Sequence, residues 1–183
     1  MMLETAILIA SDLIKVLKPY CSRIEIAGSI RRKRAEVKDI EIVLARIPSM
    51  LYEFKTVIDR YASVKGDATG KYTQRLIKID ERGNRIYADI FMPLAEDYFR
   101  QLAIRTGPAD FSHRVIAAGW NRKGWVGTDR GLRRESECER SGDKWICKAM
   151  DPTLPPLWNS EAEFFKWLGL KYLEPEERGM VAV

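Results

Sequence analysis

The sequence predicts an α+β protein, with a small mixed β-sheet that has helices on one face and then a smaller C-terminal α/β lobe. Stretches of apolar residues at helical spacing and stretches of strict alternation follow one another along the first part of the chain, which is typical of this class. The 183 residues, of which 46% are hydrophobic and 31% charged, suffice for one sizeable core or two small lobes. We therefore divide the chain into two predicted regions, 1–104 and 105–183.

In the first region, apolar periodicity and chain-breaking residues define the elements. Helices are predicted over 3–18, which Pro19 ends, over 51–62 and, after Pro93, over 94 to about 104. Strands are predicted over 23–27, over 39–47 and, joined by a turn at 81–84, over 72–80 and 85–92.

The second region predicts a helix over about 108–121, a β-hairpin and a final helix that begins at Asn159 or Ser160. With Gly142-Asp143 as the two-residue turn of the hairpin, Cys138 lies directly opposite Cys147. Because the cytosol is reducing, we expect free thiols there, although this pairing also permits a disulfide. The aromatic residues of the final helix are interpreted as core.

Charge and hydropathy restrict the partners. No apolar stretch is long enough for a membrane span and no signal peptide is recognisable, so we expect a cytoplasmic protein without a membrane partner. The net charge of +5 permits nucleic-acid binding without establishing it. Between Ser112 and Arg134, six basic residues accompany one acid and form either a solvated face or a nucleic-acid surface. They are Arg114, Arg122, Lys123, Arg130, Arg133 and Arg134.

Three acidic residues are predicted to meet on one face of the sheet. Asp39 and Glu41 share a face of their strand because side chains alternate, and Asp89 points away from the apolar face of its own strand. If these strands are neighbours, the three carboxylates repel one another unless cations lie among them. Two Mg²⁺ ions, or Mn²⁺, would serve this role and support an in-line phosphoryl transfer, whereas neighbouring Lys and Arg are the structural alternative.

The segment before these acids suggests a binding site for phosphate. Gly28-Ser29 ends a predicted strand, where glycine lets the backbone approach a phosphate and the serine hydroxyl adds a donor. Arg32 follows and can hold phosphate oxygens through two parallel hydrogen bonds. Four features together are more specific than any one of them alone. They are Gly-Ser, then Arg-Arg, then an acidic pair in one strand and a single Asp in a later strand.

This arrangement resembles the nucleotidyltransferase superfamily and, within it, the family X DNA polymerases related to polymerase beta. Residues 28–32 resemble the Gly-Ser-x-Arg-Arg motif, 39–41 the Asp-x-Asp motif and 85–90 the strand with the third carboxylate. Residues 106–108 are similar to the Thr-Gly-Ser turn, and 172–178 to the C-terminal Tyr-x-x-Pro-x-x-Arg segment. The resemblance implies a nucleotidyltransferase palm and a thumb-like subdomain, without the lyase and helix-hairpin-helix domains of larger members.

The resemblance also implies a role for each matching residue. The catalytic carboxylates and metal ligands would be Asp39, Glu41 and Asp89, with Asp89 orienting or deprotonating the primer 3′-hydroxyl. The residues that bind the nucleotide would be Gly28, Ser29, Arg32 and Gly107. The residues that contact DNA would be Arg114, Arg122, Lys123, Arg133 and Arg134.

The chain departs from the family at four residues. Glu41 stands where the family has Asp, and Ser112 replaces an Asn that contacts the base. Ile104 and Arg105 replace two aromatic residues beside the nucleotide sugar, so sugar discrimination does not carry over.

We expect a monomeric, Mg²⁺-dependent DNA polymerase that adds nucleotides from dNTPs to a primer 3′-hydroxyl, in short-gap repair synthesis. Two alternatives stay open. One is nucleotide transfer without a template, or to RNA or protein. The other is a non-catalytic nucleic-acid-binding module.

Overall fold

The protein is an α+β fold with two mixed β-sheets, and the computed structural model describes residues 1–179. Its helices are α1 (Leu3–Leu17), α2 (Gly28–Arg31), α3 (Leu51–Ile58), α4 (Tyr98–Thr106), α5 (Ala118–Asn121) and α6 (Glu161–Leu168). Its strands are β1 (Cys21–Ile26), β2 (Asp39–Arg46), β3 (Ala62–Gly66), β4 (Tyr72–Lys78), β5 (Arg85–Phe91), β6 (Trp125–Thr128), β7 (Gly131–Arg134), β8 (Cys138–Ser141) and β9 (Lys144–Cys147). A π-helix, Phe111–Ala117, precedes α5.

The first sheet has the strand order β1-β2-β5-β4-β3. β2 and β5 run parallel at its centre, and the other neighbouring pairs are antiparallel. One face carries apolar side chains such as Ile40, Ile42 and Ile90, which share a buried core with residues of α1 and α3. The acidic side chains of β2 and β5 therefore lie on the opposite face, because successive side chains of a strand alternate.

α4 packs on this opposite face beside the acidic residues, so helices cover both faces of the sheet and not one face as predicted. Tyr98 and Leu102 of α4 share a small core with Val43 and Ala45 of β2. Ala103, the next residue of α4, belongs instead to the core of the C-terminal region. The division near residue 104 thus falls inside a helix that contacts both cores, and it stays a prediction.

The second sheet has the order β7-β6-β9-β8 and packs with the C-terminal helices. Ser160 is the N-cap of α6, and its hydroxyl accepts a hydrogen bond from the Glu163 amide at 3.1 Å. Phe164 and Phe165 are fully buried, so the aromatic residues of this helix are core as predicted. Cys138 pairs with Cys147 across β8 and β9, and both thiols are free.

The sequence does not predict three of the short strands, β3, β6 and β7. The helix predicted over 51–62 ends at Ile58, and β3 follows it as an edge strand with every residue exposed. Its side chains show no apolar alternation because neither face is buried. β6 and β7 have four residues each, too few for periodicity to reveal them. Within residues 1–179, no helix combines the length and apolar character that a membrane crossing requires.

Candidate active site

The structure brings the three acidic residues together at the centre of the first sheet. Glu41 of β2 and Asp89 of β5 are direct partners in the parallel pair. Asp39 lies two residues before Glu41 on the same face and is paired with Tyr87. Neighbouring strands are about 4.8 Å apart, so these carboxylates are close enough to repel one another strongly.

Burial and like charge make this cluster electrostatically costly. The pKa of Glu41 rises to about 7, first because the carboxyl is buried and then because Asp39 and Asp89 lie nearby. The pKa of Asp39 is also raised, by burial and then by Asp89. The positive charges of Arg32 and Arg105 oppose these effects at Glu41 without cancelling them. A cation bound at this face would relieve the repulsion.

Asp89 is held by two donors on the adjacent strand β4. The Tyr72 hydroxyl donates a hydrogen bond to Asp89 Oδ1 at 2.5 Å, and Gln74 Nε2 donates to the same oxygen at 2.9 Å. Burial, followed by the hydrogen bond to Asp89, raises the pKa of Tyr72 to about 12, so the phenol stays a donor at neutral pH. Neither residue belongs to the predicted site, although both lie on a strand that the sequence predicts.

Gly28 lies against Glu41. Its φ of +60° is left-handed, and a Cβ there would come within 1.7 Å of Glu41 Oε2. Gly28, which is predicted to let a phosphate approach the backbone, therefore also makes room for a carboxylate. The next residue, Ser29, has a buried hydroxyl oxygen without a hydrogen-bond partner among residues 1–179.

Two adjacent arginines join α2 to the end of α4. Arg32 donates from Nη1 to the Thr106 carbonyl oxygen at 2.5 Å, while its Nε is buried and has no partner among the described residues. Arg31 donates to the Thr106 hydroxyl at 2.7 Å and to Glu161 of α6 at 2.8 Å. Arg178 also donates to Glu161, at 2.8 Å, and is only 1% exposed. These bonds place Ser29 and Arg32 beside the carboxylates.

Gly107 and Ser112 have structural roles near the end of α4. Gly107 matches the family X turn, and Ser112 stands where that family has an Asn. A Cβ on Gly107 would lie 2.6 Å from the ring of Phe111, so this glycine permits close packing. The Ser112 hydroxyl donates to the Ile104 carbonyl oxygen at 2.7 Å. Neither contact points to a nucleotide, and the role assigned to Gly107 stays a prediction.

A cavity of about 750 Å³ opens beside Asp89. Its lining includes Tyr72, Arg105, Arg130 and Arg133 together with the extended segment 154–157. The Arg105 guanidinium lies 3.9 Å from the centre of the Phe91 ring, and burial lowers its pKa although Glu41 opposes this. The cavity therefore combines a carboxylate of the acidic cluster with several cations.

The residues predicted to contact DNA do not form one continuous patch. Arg133 lines the cavity, but the next residue, Arg134, projects from the opposite face of β7. Its guanidinium lies 4.4 Å from the centre of the Trp125 ring. Arg134 also donates to the Lys123 carbonyl oxygen at 3.2 Å. Arg114 and Arg122 are exposed.

The acidic cluster fits Mg²⁺ by chemistry more clearly than by its present geometry. Carboxylate oxygens are the ligands that Mg²⁺ prefers, and the repulsion among these three acids favours a bound cation. Among residues 1–179, however, no group of three or more acidic, His or Cys side chains is already arranged to hold a metal ion.

The sequence matches no protein-family model and no curated protein.

Proposed function

We propose that this chain is a nucleotidyltransferase of the family X type, which extends a DNA primer from dNTPs as a cytoplasmic monomer in short-gap repair. The observation that best supports the proposal is the direct pairing of Glu41 with Asp89, with Asp39 on the same face. Acidic residues seldom cluster in this way unless a cation or a reaction requires them. Gly28, the first residue of α2, lies against the same cluster.

Ser29 and Arg32 would hold the triphosphate. Each has a buried polar atom, the Ser29 hydroxyl oxygen and Arg32 Nε, that lacks a partner in the described chain. A buried donor without an acceptor costs about 1–3 kcal/mol, and a phosphate oxygen would remove that cost. The positive charge of Arg32 would also offset the negative charges of the nucleotide and of Glu41.

Asp89 would act on the primer. In the proposed step the 3′-oxygen forms a bond to the α-phosphorus, the bond to pyrophosphate breaks, and the hydroxyl proton passes to Asp89. Mg²⁺ or Mn²⁺ held by Asp39, Glu41 and Asp89 would stabilise the negative charge that develops on the phosphates. The Tyr72 and Gln74 hydrogen bonds would hold the Asp89 carboxylate in place during transfer.

DNA would be bound by two separate basic groups. Arg130 and Arg133 lie in the cavity with Asp89 and would contact the strand nearest the reaction. Lys123 and Arg134, on the other side of β7, would contact phosphates further away. Because phosphate contacts release counterions, binding should weaken steeply as salt increases.

Primer extension with the Asp89→Asn variant tests this proposal. The wild-type chain should extend a gapped template-primer with Mg²⁺, and the variant should lose about 100-fold or more of this activity because it lacks the base. The matched control is Glu96→Gln, which removes an exposed acid lining the same cavity and should extend normally. Full activity of the Asp89→Asn variant would contradict the mechanism.

The same assay separates the alternatives. Incorporation that follows each of four template bases supports a template-directed polymerase. Equal incorporation opposite every base, or extension of RNA alone, supports template-independent or RNA-directed transfer. Binding of DNA without any extension supports a non-catalytic module.

A further inference from the structure

We propose that Tyr72 and Gln74 are positioning residues that fix the orientation of the Asp89 carboxylate. This inference rests on the proposed function, because it concerns the same carboxylate. It assigns to strand β4 a part of the site that the sequence motifs do not include.

The strand register places both donors beside Asp89. Gln74 of β4 is the direct antiparallel partner of Asp89, and Tyr72 is the partner of Phe91, two residues further along the same face. Both side chains donate to one oxygen, Oδ1, at 2.5 and 2.9 Å. The other oxygen, Oδ2, accepts no hydrogen bond from the described residues. One oxygen is therefore anchored and the other is left for substrate or cation.

The two donors are themselves held firmly. The Tyr72 ring packs against Phe91 with centroids 5.2 Å apart, and Phe91 is covered in turn by the Arg105 guanidinium. Between the donors along β4 lies Thr73, which is fully buried and accepts a hydrogen bond from buried Arg75. This packing fixes the ring and the strand, so the hydrogen bonds to Asp89 limit rotation of its carboxylate.

Fixing the carboxylate has a chemical consequence. Hydrogen bonds from outside a metal or reaction site orient the groups inside it, and their loss typically lowers metal affinity or activity by about 10–100-fold. A residue that only stabilises the sheet would lower stability instead and leave the turnover of the folded enzyme unchanged. Measuring affinity, turnover and stability together therefore distinguishes positioning from a structural role.

The test uses the Tyr72→Phe and Gln74→Leu variants of the full chain. Tyr72→Phe keeps the ring that packs on Phe91 and removes only the hydroxyl. The matched control is Tyr87→Phe, because Tyr87 lies on the same face of β5, is 48% exposed and makes no hydrogen bond through its hydroxyl in the described chain. Mn²⁺ affinity is measured by electron paramagnetic resonance without nucleotide or DNA, and kcat and KM are measured by primer extension.

We expect the Mn²⁺ affinity and the kcat of each β4 variant to be about 10–100-fold lower than those of the wild type. The KM for dNTP and the melting temperature should be unchanged. Tyr87→Phe should match the wild type in every measurement. Wild-type affinity and kcat in both β4 variants would overturn this inference and leave the proposed function standing. A wild-type chain that binds Mn²⁺ without extending primers would overturn the proposed function, and the Mn²⁺ affinities would still test the positioning role. A wild-type chain that does neither would overturn both.

Discussion

Replacing Glu41 by Gln should stabilise the chain at alkaline pH, because the native site makes ionisation of this carboxyl costly. Burial, Asp39 and Asp89 raise its pKa from 4.5 to about 7 in the folded state. The folded chain therefore holds the proton more tightly than the unfolded chain does. The resulting contribution to stability is fully present below about pH 4.5 and is lost as the pH rises through about 7.

The size of the effect follows from the pKa change. At about 1.4 kcal/mol per pH unit, the rise to about 7 corresponds to a loss of about 3 kcal/mol between acidic pH and pH 8. The pKa of Asp39 is raised as well, by burial and then by Asp89. Glutamine has almost the same shape and no charge, so the variant should escape this loss.

Urea denaturation at pH 5 and pH 8, with EDTA to remove metal ions, measures this difference. The variant and the wild type should differ little at pH 5, whereas the variant should be more stable by about 2–3 kcal/mol at pH 8. Glu96→Gln, which removes an exposed carboxylate, should show no such dependence. An advantage of the Glu41 variant that is equal at both pH values, or that reverses at pH 8, would refute the reasoning.

Three other perturbations have defined outcomes. Glu161→Ala leaves the buried Arg178 and the partly buried Arg31 without their shared partner and should cost about 3–5 kcal/mol in urea denaturation, so wild-type stability would contradict this network. Gly28→Ala places a methyl group against the Glu41 carboxylate at a left-handed φ. The free energy of unfolding should fall by at least about 1 kcal/mol and primer extension should slow. Unchanged values for both would be inconsistent with this contact. Excess oxidised glutathione should join Cys138 to Cys147, which mass spectrometry would detect as the loss of two hydrogens. The bond should form faster at pH 9 than at pH 7, because burial raises the pKa of Cys138 to about 11, and an equal rate would contradict this.

The sequence contains enough information to place each acidic residue on a face of its strand. Alternation puts Asp39 and Glu41 on one side of β2, and the same rule orients Asp89 in β5. It cannot show that β2 and β5 are parallel neighbours, because that pairing joins segments nearly fifty residues apart through long-range contacts. The register of Glu41 with Asp89 is therefore information that only the structure supplies.

Arg31 illustrates a different limit. In the sequence it is one of four consecutive basic residues, and it belongs to a motif that indicates phosphate binding. The structure instead pairs it with Glu161, and although burial alone would lower its pKa, this partner raises it. Local sequence cannot distinguish a phosphate ligand from a structural cation when the decisive partner lies 130 residues away. The sequence does not reveal Tyr72 and Gln74 for a related reason, since their role depends on the register between two strands.

The bonds from Glu161 to Arg31 and Arg178 also determine when the site can be completed during synthesis. Ser29 and Arg32 are synthesised well before Glu161 and Arg178, so the network that holds Arg31 forms only after residue 178 has been made. A nascent chain that has completed the first sheet would hold all three carboxylates and still lack these contacts. In the proposed function, the segment that holds the nucleotide would therefore reach its final geometry only after residue 178 has been synthesised.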